Sequence, residues 1–207
     1  MLIKIIKGNL MLTIGIIGLL VLVIFIFMII KIYNNLVTLR QQQKNAFSQI
    51  DVQLTRRYEL IPNLVEVAKK YMAHEQETLE KVIQARNQAY NAKKNVGQDP
   101  SNSEAMSKLI AAEGAVKSQL GSFLAISESY PELRSNTNMN TLMEELSSTE
   151  NKVSFARQAY NDATTEYNTA RELFPSSVIA GMFNFAPAML YEVEDQKVRS
   201  GVKVKFD

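Results

Sequence analysis

The chain has 207 residues, of which 46% are hydrophobic and 21% charged, and its formal net charge is +2. It contains no cysteine, which excludes disulfides, thiolate metal sites and cysteine nucleophiles. The single histidine, His74, lies in a polar sequence, and we expect it to be solvated because a zinc site needs three or four converging ligands. No basic face with interleaved aromatic residues stands out, so no nucleic-acid partner is predicted.

The longest apolar run, at residues 10–30, reads LMLTIGIIGLLVLVIFIFMII. As a helix it would be about 30 Å long, which matches the hydrocarbon core of a bilayer. A cleavable signal peptide is the alternative, but its apolar region is shorter and a small-residue cleavage site follows it. Here Lys31 and Ile32 follow the run, so we predict a retained, single-pass membrane anchor that contacts the lipid bilayer through residues 10–30.

The basic residues that flank this run do not fix its orientation. Lys4 and Lys7 precede it together with the amino terminus, and Lys31, Arg40 and Lys44 follow it. The positive-inside rule compares these two groups, and they are balanced. The side of the membrane on which the body lies is therefore left open.

Beyond the anchor, apolar residues recur at helical spacing from Tyr33 to Tyr71. Arg57 occupies a position in this apolar seam, so its guanidinium must reach solvent or an acidic partner. Pro62 lies within the same run and predicts either a kink around residues 58–61 or a break with a new helix beginning at Pro62. The seam consists of Phe47, Ile50, Leu54, Ile61, Leu64, Ala68 and Tyr71.

Two further helices follow, separated by loops near residues 72–75, 95–102 and 127–137. The first continues the helical pattern from His74 to Lys94. Ser101 and Glu104 have the spacing of a capping box, which predicts that Ser101 caps the next helix. That helix should end before Pro131, and its apolar face consists of Met106, Leu109, Ile110, Val116, Leu120, Phe123 and Leu124.

The last long helix has the most regular pattern, with alternating steps of three and four residues from Met139 to Phe174. Such spacing predicts coiled-coil-like packing in a bundle or an oligomer. Pro175 should end the helix, and the apolar segment after it is predicted to be a short helix or a strap over the bundle end. A second membrane contact through Met182, Phe183 and Phe185 is the alternative. Residues 202–206 alternate as a strand would.

The sequence therefore predicts an all-α protein with a single N-terminal transmembrane helix followed by an antiparallel bundle of long helices. Its parts are a short basic tail at residues 1–9, the transmembrane helix at residues 10–30, the bundle at residues 31–174, and an apolar strap with a C-terminal tail at residues 175–207. The first helix of the bundle is expected to continue directly from the membrane span.

Several segments resemble the LemA family of bacterial membrane proteins. The most specific is NAFSQIDVQLTRRYELIPNLVEVAKKY at residues 45–71, and four further segments fit in order, at residues 34–37, 130–133, 150–168 and 174–185. Phe47 stands where such proteins often carry Trp. The resemblance implies a membrane-anchored antiparallel helical domain, a family without an established catalytic activity, and a location in bacterial membranes that includes organelle membranes of magnetosome-forming relatives.

No catalytic, cofactor or metal-binding motif is present in the sequence. Arg56, Arg57 and Asn63 are interpreted either as an interaction surface near Pro62 or as polar residues that fix the register of the bundle. The leading hypothesis is a non-enzymatic, membrane-anchored scaffold or adaptor in the bacterial cell membrane that binds a protein partner or forms a homo-oligomer. A membrane-associated sensor or signalling input domain is the alternative, and an enzyme with an unrecognised site is the third hypothesis.

Overall fold

The computed structural model describes residues 2–192, and the side chains of residues 14–192 with the exception of Gln98. This part of the chain is all helical, with no strand, as predicted. The strand predicted at residues 202–206 lies outside the described residues. The helices are α1 (Leu2–Lys69), α2 (Gln76–Gln98), α3 (Ser103–Ser127), α4 (Pro131–Arg134), α5 (Thr137–Glu172) and α6 (Ser176–Met182).

Helix α1 runs without interruption for 68 residues and is roughly 100 Å long. Within the described residues it is the one helix that is long and apolar enough to cross a membrane. Its side chains from Ile14 to Met28 are exposed, whereas Leu36 is fully buried in the body. The predicted continuity of span and body is confirmed. Residues 2–9, the predicted basic tail, also belong to this helix.

Pro62 lies inside α1, and the helix continues through it. Proline has no N–H, so the carbonyl oxygen of Tyr58, four residues earlier, loses its partner within the helix. The guanidinium of Arg86 on α2 replaces that partner, because its Nε donates a hydrogen bond to the Tyr58 carbonyl oxygen at 2.9 Å. The alternative of a break at Pro62 is therefore wrong: an arginine from the neighbouring helix satisfies the carbonyl that the proline leaves without a partner.

The bundle is built around α1. Helix α5 packs antiparallel along it, α2 also contacts it, and α3 packs mainly on α2. One apolar core joins α1, α2, α3 and α5, and its fully buried large side chains include Phe47, Tyr58, Phe123 and Tyr160. A smaller core lies nearer the membrane span and is formed by Leu36, Leu39, Tyr167, Ala180, Phe185 and Ala188.

Helix α3 begins one residue later than the predicted capping box would require. Asn102 is the N-cap, and its Oδ1 accepts a hydrogen bond from the N–H of Ala105 at 3.0 Å. The assignment of Ser101 as the cap is wrong. Instead, the backbone N–H of Ser101 donates to Asp99 Oδ1 at 3.1 Å, which forms a turn before the helix. The end of α3 at Ser127, before Pro131, is as predicted.

Helix α5 ends at Glu172, so the predicted seam is wrong at its last position, Phe174. A residue before proline is disfavoured in the helical conformation, and Phe174 precedes Pro175. Its side chain is 84% exposed instead of packed in the seam. The chain then forms α6 and returns along α5. We refer to residues 175–192 as the strap.

Two asparagines of α5 hold the returning part of the strap through paired hydrogen bonds to its backbone. Asn168 donates to the carbonyl oxygen of Ala188 at 2.8 Å and accepts from the N–H of the same residue at 3.0 Å. Asn161 makes the same pair of bonds to Tyr191, at 3.3 and 2.7 Å. These bonds order the strap along α5.

Candidate functional site

The most unusual feature of the core is a buried arginine that bonds to two carboxylates from different helices. Arg57 is 4% exposed. Its Nη2 lies 2.6 Å from Glu113 Oε2 on α3, and its Nη1 lies 2.5 Å from Glu150 Oε2 on α5. Of the two alternatives for Arg57, an acidic partner rather than exposure to solvent is therefore observed. A single guanidinium ties α1, α3 and α5 together, and we call Arg57, Tyr58, Glu113 and Glu150 the ionic cluster.

Tyr58 supplies the second hydrogen-bond donor to the buried carboxylate of Glu113. Its hydroxyl donates a hydrogen bond to Glu113 Oε1, so both oxygens of Glu113 have a donor. Burial raises the pKa of Tyr58, and the neighbouring Glu113 raises it further, so the hydroxyl remains a neutral donor. Burial also raises the pKa of Glu113, while Arg57 and Tyr58 favour its charged form.

The charge on Arg57 is maintained by its two partners. Burial acts to lower the pKa of its guanidinium, but Glu113 and Glu150 outweigh this effect and raise the pKa above its ordinary value. Glu113 is almost fully buried, whereas the side chain of Glu150 is 44% exposed. The cluster is therefore enclosed on its Glu113 side and reaches solvent on its Glu150 side.

A second buried polar contact joins α1 to α2. Lys93 lies in the seam of α2, and its Nζ donates to Asp51 Oδ1 at 2.8 Å and to Thr55 Oγ1 at 2.7 Å. Asp51 therefore pairs with Lys93. Together with the ionic cluster, this contact fixes the register of α1 against its neighbours.

The three residues interpreted as an interaction surface do not lie together. Arg56 and Asn63 are exposed, whereas Arg57 points into the core. The head group of Arg57 is therefore not available to a surface, which corrects that part of the interpretation. A role for Arg56 and Asn63 in an interaction stays a prediction.

A groove lies directly beside the ionic cluster, between α3 and α5, and α1 forms its floor. It encloses about 480 Å³. Arg57 and Glu150 lie at one end, and Lys117 and Ser147 add polar groups. The remaining lining is formed by Gly121 and the apolar side chains of Leu64, Leu120, Phe123, Leu124, Met143 and Leu146.

The dimensions of the groove follow from the helix arrangement. Helix α3 packs mainly on α2 and α5 mainly on α1, which separates α3 from α5 along this face. Each wall spans eight residues, 117–124 on α3 and 143–150 on α5, which is about 10 Å from the first Cα atom to the last. This length corresponds to two turns of a helix laid between the walls.

The ionic cluster is suited to linking helices, and the adjoining groove is suited to binding another molecule. No group of three His, Cys, Asp or Glu side chains in the described part of the chain is arranged to hold a metal ion. The polar atoms of the cluster bond mainly to one another, and apolar side chains dominate the adjoining groove. The arrangement is suited to binding an apolar surface with a polar edge.

The family model described as "LemA family" matches residues 46–206. Magnetosome protein MamQ of Magnetospirillum gryphiswaldense is 26% identical over 192 residues, which cover 86% of this chain and 70% of that protein. Magnetosome proteins MamQ 2 and MamQ 1 of Paramagnetospirillum magneticum are each 25% identical over 193 residues, which cover 86% of this chain and 71% of those proteins.

Proposed function

Because the chain belongs to the LemA family, we propose that it acts as a non-enzymatic scaffold, anchored in a bacterial membrane by a single span, that binds a partner protein. Its MamQ relatives are named as magnetosome proteins, which supports a location at a bacterial membrane. In this role the chain needs no substrate and no cofactor.

The observation that carries this proposal is the continuity of α1. One helix provides both the membrane span and the central element of the bundle, without a linker between them. A body joined in this way keeps a fixed height and tilt relative to the anchor, whereas a flexible linker would let it reorient. The surface of such a body can therefore hold a partner at a defined distance from the membrane.

The groove between α3 and α5 is the surface that we assign to the partner. Its apolar walls are two turns long, which suits an amphipathic helix that inserts side chains at spacings of three, four and seven residues. Glu150 at one end, with a side-chain exposure of 44%, would pair with a polar group at the edge of that helix. We propose that the occupant is an amphipathic helix of another protein.

A larger side chain at Gly121 would fill the groove without disrupting the helical bundle. It is exposed, and a Cβ atom built on it meets no atom within 4 Å. Gly97 on α2 shares both properties but lies outside the groove, so it is a matched control. Gly121 lies inside α3, where glycine is about 1 kcal/mol less favourable than alanine, so replacement by leucine should preserve the helix. Gly97 lies in the last turn of α2 and has no positive φ, so leucine should be tolerated there as well.

The test is site-specific photocrosslinking of the full-length chain in its native membrane, with the photoreactive residue at Leu124 on the edge of the groove. We expect one discrete adduct with another protein. Gly121→Leu should reduce its yield at least several-fold, and Gly97→Leu should leave it unchanged. An adduct with a second copy of the chain would show that the groove serves self-association, and an adduct that both variants form equally well would contradict binding in the groove.

A further inference from the structure

We propose that the turn from α5 into the strap is a second membrane contact, inserted into the headgroup boundary of the leaflet from which α1 emerges. The side chains concerned are Leu173, Phe174, Val178, Met182 and Phe183, which we call the rim. The ligand is the lipid interface itself. This inference is independent of the groove and of its partner.

The depth of the rim follows from the pairing of α5 with α1. Gln43 Nε2 donates to Tyr160 Oη at 2.9 Å, which sets these residues at the same level of the antiparallel pair. Twelve residues from this pair along each helix, toward the membrane, lie Lys31 and Glu172. Lys31 is the first residue after the apolar run, so α5 ends beside the point at which α1 leaves the hydrocarbon core.

An aromatic contact places the other end of α6 at the same depth. The ring centroid of Phe183 lies 4.9 Å from that of Tyr33, which is three residues beyond Ile30. At 1.5 Å per residue, Tyr33 is about 5 Å above the end of the apolar run. The headgroup layer on each side of a bilayer is roughly 5 to 8 Å thick, so Phe183 lies at its level.

The exposed surface of the rim is apolar. The exposed fractions of its side chains range from 51% for Phe183 to 84% for Phe174. Val178 and Met182 are one turn apart on α6 and share a face, while Ile179 and Ala180 are buried against the bundle. No charged residue occurs from Leu173 to Tyr191, a composition that suits a lipid interface.

The rim is held in position by the body. Phe185 is 5% exposed and packs against Tyr33, with the Arg40 guanidinium 5.0 Å from its ring centroid. The prediction that Phe185 itself contacts the membrane is therefore wrong, because its ring lies in the membrane-proximal core. Since Phe185 and the two asparagines of α5 already order the strap, insertion of the rim requires little further loss of conformational freedom.

The sequence allows a direct test, because the chain contains no tryptophan. Phe174→Trp therefore provides a single fluorophore on the rim, and Met182→Trp provides a second, independent position. Phe155→Trp is the matched control, since Phe155 is 73% exposed but lies on α5 about 25 Å from its membrane end. Each full-length variant is reconstituted into phosphatidylcholine vesicles with and without shallow bromine labels on the acyl chains.

We expect the tryptophans at positions 174 and 182 to emit at shorter wavelength than the one at 155, and to lose roughly half of their fluorescence in brominated lipid because the rim lies at the acyl boundary. The control should be unaffected by bromine. Emission and quenching at 174 and 182 that equal those at 155 would overturn the proposal. A blue-shifted but unquenched signal would also overturn it, because it would show that protein rather than lipid covers the rim.

Discussion

Replacement of Arg57 by methionine should lower the free energy of unfolding by about 3 to 5 kcal/mol, because it leaves the buried carboxylate of Glu113 without its cation. Glu113 has a side-chain exposure of only 7%, so water cannot replace the guanidinium. Glu150 is 44% exposed and can turn to solvent, so it should contribute less to the loss. The measurement is denaturant unfolding of the full-length chain in detergent, followed by circular dichroism.

The control is the neighbouring residue on the same helix. Arg56 is exposed, and Arg56→Met should change the free energy of unfolding by no more than about 0.5 kcal/mol. A variant that replaces Arg57, Tyr58 and Glu113 together with Met, Phe and Met should return to within roughly 1 kcal/mol of the original stability, since removal of a whole buried ionic group is often neutral. Equal losses for Arg56→Met and Arg57→Met would refute the ionic cluster as described.

Replacement of Arg86 by methionine should lower the free energy of unfolding by about 1 to 3 kcal/mol, because the Tyr58 carbonyl oxygen would lose the donor that compensates for Pro62. In a Pro62→Ala background the N–H of the new alanine can bond to this carbonyl within α1. In that background, Arg86→Met should lower the free energy of unfolding by at least about 1 kcal/mol less than it does in the original sequence. Denaturant unfolding of the four proteins of this double-mutant cycle gives the coupling energy.

The cycle separates this bond from the other contacts of Arg86. Its guanidinium also bonds to Asn87 and lies 5.1 Å from the ring centroid of Tyr90. Neither contact involves Pro62, so both are lost equally in the two backgrounds and cancel. Additive effects of the two substitutions would mean that Arg86 does not compensate for the proline.

Much of the fold could be predicted because α-helical periodicity is a local signal. The apolar span, the seam of α1, the loops and the end of α3 before Pro131 are all read from residues within a few turns of one another. Arg57 could also be identified from the sequence, because it is a charged residue at a position of the apolar seam. Its partner carried the same signal: Glu113 lies four residues after Leu109 and three before Val116, at a seam position of α3.

Other features were missed because residues distant in the sequence decide the outcome. Pro62 predicted a kink or a break. The Tyr58 carbonyl oxygen that it leaves without a partner in α1 accepts a hydrogen bond from Arg86, which lies 24 residues beyond Pro62 on another helix. The groove is a consequence of which helices pair, and no local pattern encodes that α3 prefers α2 while α5 prefers α1. Burial of Phe185 likewise depends on the path of the strap across α5.

The scaffold role depends on α1 being one continuous, rigid helix from the bilayer to beyond Pro62. Since the chain has no native cysteine, spin labels can be attached at Lys31→Cys and Glu66→Cys, two exposed positions on α1. Pulsed electron paramagnetic resonance on the reconstituted full-length chain should give a single narrow distance distribution centred near 52 Å, the length of about 35 helical residues. A broad distribution, or one centred well below that distance, would contradict a continuous helix and the anchored scaffold that rests on it.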